Sequence, residues 1–423
     1  MSQTLIKNIN IVSMDNNRSV FIDGAILIEN NKILEIGKYN KIKPLLKNEV
    51  IIEDGKNNWV LPGLINTHVH TSQQLGRGIA DDVDLLVWLR ERIWPYESNL
   101  TEEDSYISSL LCAIEQIKSG VTCFVEAGGQ HVNGMGRAIE QIGMRANLVK
   151  STMDTGVGLP KIWQKDTNQE IDEQLINFEK WHNAADERIK YWFGLRTIFN
   201  NTDDLIIKTK EIADKLNVGI HMHVAEIREE IEYSKNTRGS STVAHLNNLG
   251  VLGENFLAAH CVWMTDEEIE IFKNKKVKVT HNPAAAMKVL SFAEIPMMID
   301  EGICVSIGTD GAPCNNRMSI IDEMWLTSLI HKGRKLNPKV IPAETVLEMV
   351  TRNASECALL DKEIGSLEKG KKADLIVIDP KTATMLPMHD SIANLVSSMR
   401  THNVRSVMCD GKWIMKNEII ETI

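Results

Sequence analysis

The feature that most constrains this fold is a regular alternation of short apolar runs and helical stretches between about residue 59 and residue 353. Eight runs are predicted strands: 59–65, 120–125, 145–149, 189–195, 218–224, 256–259, 277–280 and 303–307. Eight strands alternating with helices over about 300 residues are what an α/β fold of the (β/α)₈ barrel type requires. A doubly wound open sheet gives a similar alternation. Such a sheet normally carries a GxGxxG loop after its first strand, and this sequence has none.

The two ends of the chain have a different texture from its middle. Short β-prone runs separated by Asn, Asp, Gly and Lys occupy the first 55 or so residues, and a similar pattern returns in the last 55, where Asp410-Gly411 predicts a tight turn. We therefore expect residues 1–57 and 366–423 to build a small β-sandwich domain together. Residues 58–365 would form the barrel.

Composition excludes several classes of function. The chain has 47 Lys and Arg against 57 Asp and Glu, a net charge of −10, which argues against a nucleic-acid partner. No apolar stretch approaches the ~18–20 residues of a membrane-spanning helix. The first residues lack the charged-then-apolar pattern of a signal peptide. Seven cysteines without a CxxC pair indicate reduced thiols. We expect a cytoplasmic protein with no membrane or nucleic-acid partner.

Two histidine pairs close predicted barrel strands. His68 and His70 end the first strand, and His221 and His223 end the fifth. Residues two apart in a strand project to the same face, so each pair points into one cavity, where imidazoles suit a divalent metal. Spacing alone does not decide whether His221 or His223 would be a ligand. Glu226 follows the second pair and could take and pass on the proton of a metal-bound water.

Two further polar residues stand at strand ends. His260 closes the strand 256–259, and Asp310 follows the strand 303–307. Asp310 could bind a metal and accept a proton, and His260 could hydrogen-bond the attacking oxygen or the substrate. Each residue alone is better explained by a turn or a strand cap. Together they fall at the C-terminal ends of barrel strands, where such barrels have their active sites.

These motifs resemble the amidohydrolase superfamily over nearly the whole chain. The similarity is to the branch that holds S-adenosylhomocysteine and methylthioadenosine deaminases, guanine-type deaminases and s-triazine hydrolases. The segments that carry it, in family order, are Leu61-Pro-Gly-Leu-Ile-Asn-Thr-His68-Val-His70, His223-Val-Ala-Glu226, Ala259-His260-Cys, His281-Asn-Pro, Gly308-Thr-Asp310-Gly and Gly365-Ser-Leu-Glu-Lys-Gly-Lys-Lys-Ala-Asp374-Leu.

The resemblance implies a metal-dependent barrel with one divalent ion, Zn²⁺ or, as in some relatives, Fe²⁺. The implied ligands are His68, His70, His223 and Asp310. Asp310 would also take the proton of the metal-bound water, Glu226 would protonate a ring nitrogen, and His260 would hydrogen-bond the attacking oxygen. Binuclear relatives carry a carboxylated lysine at the end of strand four. Arg196 and Thr197 stand there in this chain, which favours a single metal.

Four residues are candidates for substrate binding. Trp88 and Glu97 resemble a pocket-lining segment of the adenosine-type enzymes, whereas Gln73 looks like a glutamine of the guanine-type and triazine members. Arg196 replaces a substrate-binding histidine of the adenosine-type enzymes, and Ala285-Ala286 replaces their Ser-Asn pair. Arg196 could recognise two acceptors of a heterocycle. Packing of the aromatic stripe, a solvated Gln73 and a salt-bridged Arg196 are the structural alternatives.

The sequence thus predicts a zinc-dependent aminohydrolase that deaminates a small nitrogen heterocycle of purine, pterin, pyrimidine or triazine type. The alternatives within enzymes are a triazine chlorohydrolase or dealkylaminating hydrolase, a methylthioadenosine or S-adenosylhomocysteine deaminase, and a cyclic-amide hydrolase. The two departures from the adenosine-type pattern weigh against the nucleoside thioethers. A non-catalytic barrel that acts as an assembly module is the alternative from another class, and no implied ligand is lost to support it. Relatives often form symmetric oligomers, so a homo-oligomer is possible.

Overall fold

The computed structural model describes residues 3–423, and its β-strands are named here in chain order. They are β1 (Gln3–Val12), β2 (Val20–Glu29), β3 (Lys32–Gly37), β4 (Val50–Asp54), β5 (Trp59–Pro62), β6 (Leu64–Val69), β7 (Val121–Glu126), β8 (Arg145–Val149), β9 (Ile189–Leu195), β10 (Ile220–Val224), β11 (Phe256–His260), β12 (Lys278–His281), β13 (Val305–Ile307), β14 (Leu375–Ile378), β15 (Val404–Cys409), β16 (Lys412–Lys416) and β17 (Ile419–Ile420).

Strands β6 to β13 form the barrel. They pair in sequential order, and every pair is parallel. The edge between β13 and β6 is joined by Thr67, whose hydroxyl lies 2.8 Å from the Ser306 hydroxyl and donates to the Ile307 carbonyl at 3.0 Å. The Thr309 N–H also donates to the His68 carbonyl. The predicted (β/α)₈ barrel is confirmed.

Helices follow the barrel strands and cover the outside of the barrel. Three of them begin with a reciprocal capping box, at Thr101, Asp166 and Thr265, which satisfies N–H groups that a helix start leaves unpaired. The α-helices of seven or more residues are Glu102–Lys118, Val132–Ile142, Thr167–Trp181, Asp203–Leu216, Arg228–Arg238, Thr242–Asn248, Asp266–Lys275, Ile320–Lys335, Ala343–Met349 and Ser391–Ser397. The shorter helical turns are Tyr39–Ile42, Lys43–Leu45, Thr71–Gly76, Leu85–Val87, Trp88–Ile93, Trp94–Glu97, Lys161–Trp163, Pro283–Ala285, Ala286–Leu290, Ile295–Asp300, Ala312–Asn315, Arg352–Cys357 and Thr401–Asn403.

Both ends of the chain contribute to a second, mixed sheet of nine strands. Its order is β17-β16-β15-β14-β5-β1-β2-β3, and β4 pairs with β1 beside this path. The N-terminal and C-terminal halves meet where β14 pairs antiparallel with β5. The predicted β-domain from both termini is confirmed, and its strands are hydrogen-bonded into one sheet. The domain limits at 57–58 and 365–366 stay predictions.

One predicted strand is divided in the structure. The run 59–65 splits at Gly63 into β5, which belongs to the terminal sheet, and β6, which opens the barrel. A Cβ at Gly63 would lie 2.1 Å from the Thr122 hydroxyl oxygen, so only glycine fits where the chain crosses β7. The other seven barrel strands have bounds within two residues of the predicted ones. Within residues 3–423, no helix is long and apolar enough to cross a membrane.

Candidate active site

His68 and His70 lie at the C-terminal end of β6, where strand alternation turns both rings into the barrel. Both side chains are buried. His68 Nδ1 lies 3.0 Å from Nε2 of His221, whereas His68 Nε2 has no hydrogen-bond partner among residues 3–423. A buried imidazole nitrogen without a partner is costly in a folded protein, so it points to a missing ligand.

In the second histidine pair, the ring of His223 and not that of His221 faces His70. His223 Nε2 lies 3.3 Å from His70 Nε2, and the ring of His221 contacts His68 instead. His70 Nδ1 is 3.2 Å from the Gly128 carbonyl and His223 Nδ1 is 3.0 Å from the Arg196 carbonyl, so both Nδ1 atoms donate. Neutral rings of this kind present two facing Nε2 lone pairs. Both lone pairs could bind a cation placed between them, and the residues therefore fit a bound metal.

Asp310 completes this cluster from the end of β13. Its Oδ1 atom lies 3.5 Å from His68 Nε2 and 3.7 Å from His70 Nε2. The residue has a φ of 63°, a strained conformation for a non-glycine residue. It is held there because its N–H donates to the His68 carbonyl at 2.9 Å, while the Gly311 N–H donates to its carboxylate at 2.7 Å. Imidazole nitrogen and carboxylate oxygen together suit Zn²⁺ or Fe²⁺.

His260 and Glu226 lie on the other side of Asp310. His260 Nε2 is 3.5 Å from Glu226 Oε1 and 3.9 Å from Asp310 Oδ2. His260 also has a positive φ, 70°, at the end of β11. The nitrogen atoms of His68, His223 and His260 lie within 4.8 Å of one another. All the predicted catalytic residues therefore meet around one point.

The two carboxyl groups of the site have opposite pKa shifts. Burial raises the pKa of Glu226 to about 8, and the negative charges of Asp310 and Glu230 add to the effect. Burial also acts to raise the pKa of Asp310, but the ring nitrogens of His68, His260 and His70 beside its carboxylate hold the pKa well below the usual range. At neutral pH Glu226 is mostly protonated and can act as an acid, whereas Asp310 is ionised and can act as a base.

Glu230 is a functional residue that sequence reasoning missed. Its carboxylate accepts the N–H groups of Ala225 and Glu226, each at 2.8 Å. Ala225 has a φ of 53°, so these two bonds hold a strained turn after β10 and fix the position of Glu226. The only sequence signal was a second acid four residues after Glu226 at the start of a helix.

A narrow pocket, lined mostly by apolar side chains, opens next to this cluster. Arg196 lines the pocket with only 6% of its surface exposed, and its Nη1 lies 3.5 Å from both ring nitrogens of His70. The lining residues are His70, Leu85, Trp88, Leu89, Arg196, Thr197, His223, Glu226, Ala285, Val289, Leu290, Asp310 and Cys314. Trp88 and Arg196 thus lie where a substrate would bind.

Gln73 and Glu97, the other two predicted substrate contacts, are joined to each other. Gln73 Nε2 donates to Glu97 Oε1 at 2.9 Å, and Gln73 Oε1 has no partner within the described part of the chain. Neither residue is among those that line the pocket described above. Gln73, which resembles a residue of the guanine-type enzymes, and Glu97, which resembles one of the adenosine-type enzymes, are therefore hydrogen-bonded to each other. Their contacts with a substrate stay predictions.

The sequence matches the amidohydrolase family over residues 59–414. That span includes every candidate site residue, so the chain belongs to the amidohydrolase family. The hydrolase class and the fold predicted from the sequence are confirmed by this membership.

Relatives lie in the deaminase branch of the family. The chain is 41% identical over 404 residues to a 5'-deoxyadenosine deaminase of Methanobrevibacter smithii, covering 95% of this chain and 90% of that protein. It is 38% identical over 420 residues to a 5-methylthioadenosine/S-adenosylhomocysteine deaminase of Syntrophomonas wolfei, covering 99% and 95%. A solved adenosine deaminase from Xanthomonas campestris with bound zinc superposes with a TM-score of 0.93 at 23% identity, covering 99% and 94%. The predicted resemblance to deaminases is confirmed.

Proposed function

We propose that this chain is a zinc-dependent deaminase that replaces the exocyclic amine of an adenine nucleoside by oxygen and releases ammonia. The observation that carries this proposal is that the Nε2 atoms of His70 and His223 face each other. His68 Nε2, which has no hydrogen-bond partner within residues 3–423, and the Asp310 carboxylate lie beside them. The relatives named above supply the substrate class. They favour the adenosine-type alternative of the sequence analysis, despite Arg196 and the two alanines that depart from its pattern.

The four residues His68, His70, His223 and Asp310 would hold the metal ion. They offer three imidazole nitrogens and one carboxylate oxygen, ligand types that suit Zn²⁺. When bound, the ion would supply a water molecule whose pKa is lowered toward about 7.

The carboxyl groups move the protons. Asp310 is ionised, and its Oδ2 atom, which faces His260, accepts the proton that the attacking water loses. Glu226 is protonated and donates from its carboxyl group to a ring nitrogen next to the carbon under attack, so negative charge does not build up on the ring. His260 Nε2 lies between both carboxylates and donates a hydrogen bond to the oxygen that adds to the ring. Asp310 then passes the proton it accepted to the amine, which leaves as ammonia. The hydroxyl group of the adduct loses its proton to Glu226 as the new carbonyl forms, so both carboxyl groups return to their starting states.

The walls of the pocket suit a planar base. Leu85, Leu89 and Trp88 cover it from one segment, and Val289 and Leu290 contribute from another. Apolar walls of this kind exclude water from the reacting carbon. Arg196 would donate hydrogen bonds to acceptors of the substrate, and the Gln73–Glu97 pair would contact its sugar hydroxyls.

The test is ammonia release from zinc-loaded protein with a panel of substrates. The panel contains 5'-deoxyadenosine, 5'-methylthioadenosine, S-adenosylhomocysteine, adenosine, guanine, cytosine and an aminotriazine, with chloride measured for a chlorotriazine. We expect ammonia from the adenine nucleosides only. Glu226→Gln should abolish the reaction, while Glu254→Gln, a change at an exposed residue outside the site, should not alter it. Ammonia release from guanine or the aminotriazine alone, or chloride release from the chlorotriazine, would contradict the proposal.

A further inference from the structure

Asn282, the residue that follows β12, contacts the one site histidine that the proposal does not use as a ligand. Its side-chain Nδ2 lies 3.1 Å from Nδ1 of His260. Both side chains are buried. Asn282 is the second residue of the His281-Asn-Pro motif.

The surroundings of His260 decide which of its nitrogens carries hydrogen. The amide NH₂ of Asn282 only donates, so a neutral His260 ring accepts at Nδ1 and carries its hydrogen on Nε2. Nε2 faces oxygen atoms of the Glu226 and Asp310 carboxyl groups at 3.5 and 3.9 Å.

Asn282 is itself held tightly. Its carbonyl accepts the Ala286 N–H at 2.9 Å, and its Oδ1 packs against Gly308 on the neighbouring strand end, where a Cβ would lie 2.5 Å away. The Gly308 N–H in turn donates to the His281 carbonyl. The amide group therefore has little freedom to move away from His260.

The metal-site histidines have the opposite arrangement. His70 and His223 each donate from Nδ1 to a backbone carbonyl, which leaves a lone pair on Nε2. His260 accepts at Nδ1 and so presents a hydrogen instead, although its nitrogen lies within 4.8 Å of those of His68 and His223. The hydrogen-bond partner of Nδ1 thus decides whether Nε2 of a histidine presents a lone pair to a metal or donates a hydrogen bond.

We propose that Asn282 is a positioning residue that fixes His260 as the Nε2–H tautomer, so that His260 donates to the attacking oxygen and does not become a fourth histidine ligand. This inference rests on the proposed function for the role of His260. The interaction itself does not depend on the identity of the substrate.

The experiment is Asn282→Asp, which replaces the amide donor by an acceptor of the same shape. We would record the ¹⁵N spectrum of the histidine rings in the zinc-loaded protein at pH 9, where a buried carboxyl introduced at this position is ionised. The His260 signals are identified by their loss in His260→Gln. We expect Nε2–H in the natural protein and Nδ1–H in Asn282→Asp.

Two further readouts separate positioning from a loss of structure. With Co²⁺ in place of zinc, the visible absorption of Asn282→Asp should change because an added imidazole ligand alters the coordination of the ion. We expect kcat to fall about 10- to 100-fold with KM little changed, as for other residues that orient groups at metal sites. Asn147→Asp is the matched control. Asn147 is a buried barrel residue that donates to the Ala358 carbonyl, and its change should leave both spectra and kcat unaltered.

The outcomes are decisive either way. A His260 with Nδ1–H in the natural protein, or an unchanged tautomer in Asn282→Asp, overturns the proposal. If Asn282→Asp does not fold, Asn282→Ala replaces it, and a fully retained Nε2–H form there overturns the proposal equally. If the tautomers are as expected but no adenine nucleoside releases ammonia, the proposed function fails while the positioning by Asn282 stands.

Discussion

Two buried clusters of ionisable groups lie at opposite ends of the barrel strands, and they are built in opposite ways. At the C-terminal ends, His68, His70, His223 and Asp310 direct their nitrogen and oxygen atoms toward a common point. At the N-terminal start of β8, Arg145 faces the terminal sheet and its carboxylates. Both clusters are buried, so the difference between them does not come from solvent exposure.

Most polar atoms of the Arg145 cluster are paired with one another. Arg145 donates to both carboxylate oxygens of Asp374 at 3.1 Å and to Asp410 at 3.2 Å. The Asp410 N–H donates to Asp374 at 2.8 Å, and Lys372 lies 3.3 Å from the Asp410 carboxylate. Of the Arg145 nitrogens, Nη1 alone has no partner in the region 3–423. This cluster ties the barrel to the sheet formed by the two ends of the chain.

The contrast teaches how to separate a structural cluster from a functional one. Buried charges that pair with one another maintain a fold, because removing one of them leaves the other buried and unpaired. Buried lone pairs that face one another without a hydrogen between them raise the energy of the protein until a ligand binds. Substitutions in the two clusters should therefore change different measured quantities.

The largest effect is expected for Asp310→Asn. The change removes a metal ligand and the acceptor of the water proton, so kcat should fall about 10⁴-fold, the upper end for loss of a general base. Zinc content should fall as well, because a neutral amide is a poorer ligand. Ammonia release and bound zinc per chain measure both. An activity within tenfold of the natural protein would remove Asp310 from the proposed mechanism.

Asp374→Asn tests the other end of the barrel. It leaves Arg145 with incomplete pairing in a buried environment, which should lower the free energy of unfolding by about 3 kcal/mol. Urea unfolding measures this change. The kcat of the folded, zinc-loaded fraction should stay the same, since Asp374 does not line the pocket. A loss of kcat without a loss of stability would contradict the division between the two clusters.

The two ends should also respond to pH with opposite sign. Two buried carboxyl groups lie at the C-terminal end of the barrel: Glu126 ends β7, and Glu323 accepts the Ala284 N–H at 3.0 Å. Burial raises the pKa of both to about 8, so their stabilising contribution is complete below about pH 4.3 and is lost as pH rises toward 8. For Asp410, burial acts to raise the pKa, but the charge of Arg145 and bonds from Asn31 and Lys372 lower it overall. Its contribution is present above about pH 3.9 and is lost as pH falls through the lower folded value.

Unfolding free energies between pH 3 and 9 check this contrast. The free energy of unfolding of Glu323→Gln should decline less between pH 6 and 9 than that of the natural protein. Below pH 4, Asp410→Asn should lose less stability than the natural protein. Equal slopes for all three proteins would mean that neither end of the barrel determines the pH dependence of stability.

The smallest effect is expected for Lys372→Ala. Lys372 is a peripheral member of the Arg145 cluster and contacts Asp410 from a partly exposed position. Its removal should cost less than about 1 kcal/mol of unfolding free energy and leave kcat unchanged. A cost as large as that of Asp374→Asn would show that the cluster depends on all its members and not on the Arg145–Asp374 pair.

Much of the fold and of the candidate site was predictable from the sequence. Seven barrel strands lie within two residues of their predicted bounds, because apolar runs between capped helices are local signals. The strand 59–65 was wrong in its extent, since its division at Gly63 depends on Thr122 of the next barrel strand. The pairing of Gln73 with Glu97 was missed for the same reason: neither residue carries a local sign of the other.

The sequence by itself determined the barrel, the β-domain from both termini, and the placement of two histidine pairs (His68 and His70, His221 and His223), Glu226, His260 and Asp310 at strand ends. These follow from periodicity and motif order, which are properties of the chain alone. The tertiary structure decided that His223 and not His221 faces His70, that Glu230 holds Glu226, and which nitrogen of each histidine is free. Those features depend on hydrogen bonds and charges between strands far apart in sequence, which exist only once the barrel has closed.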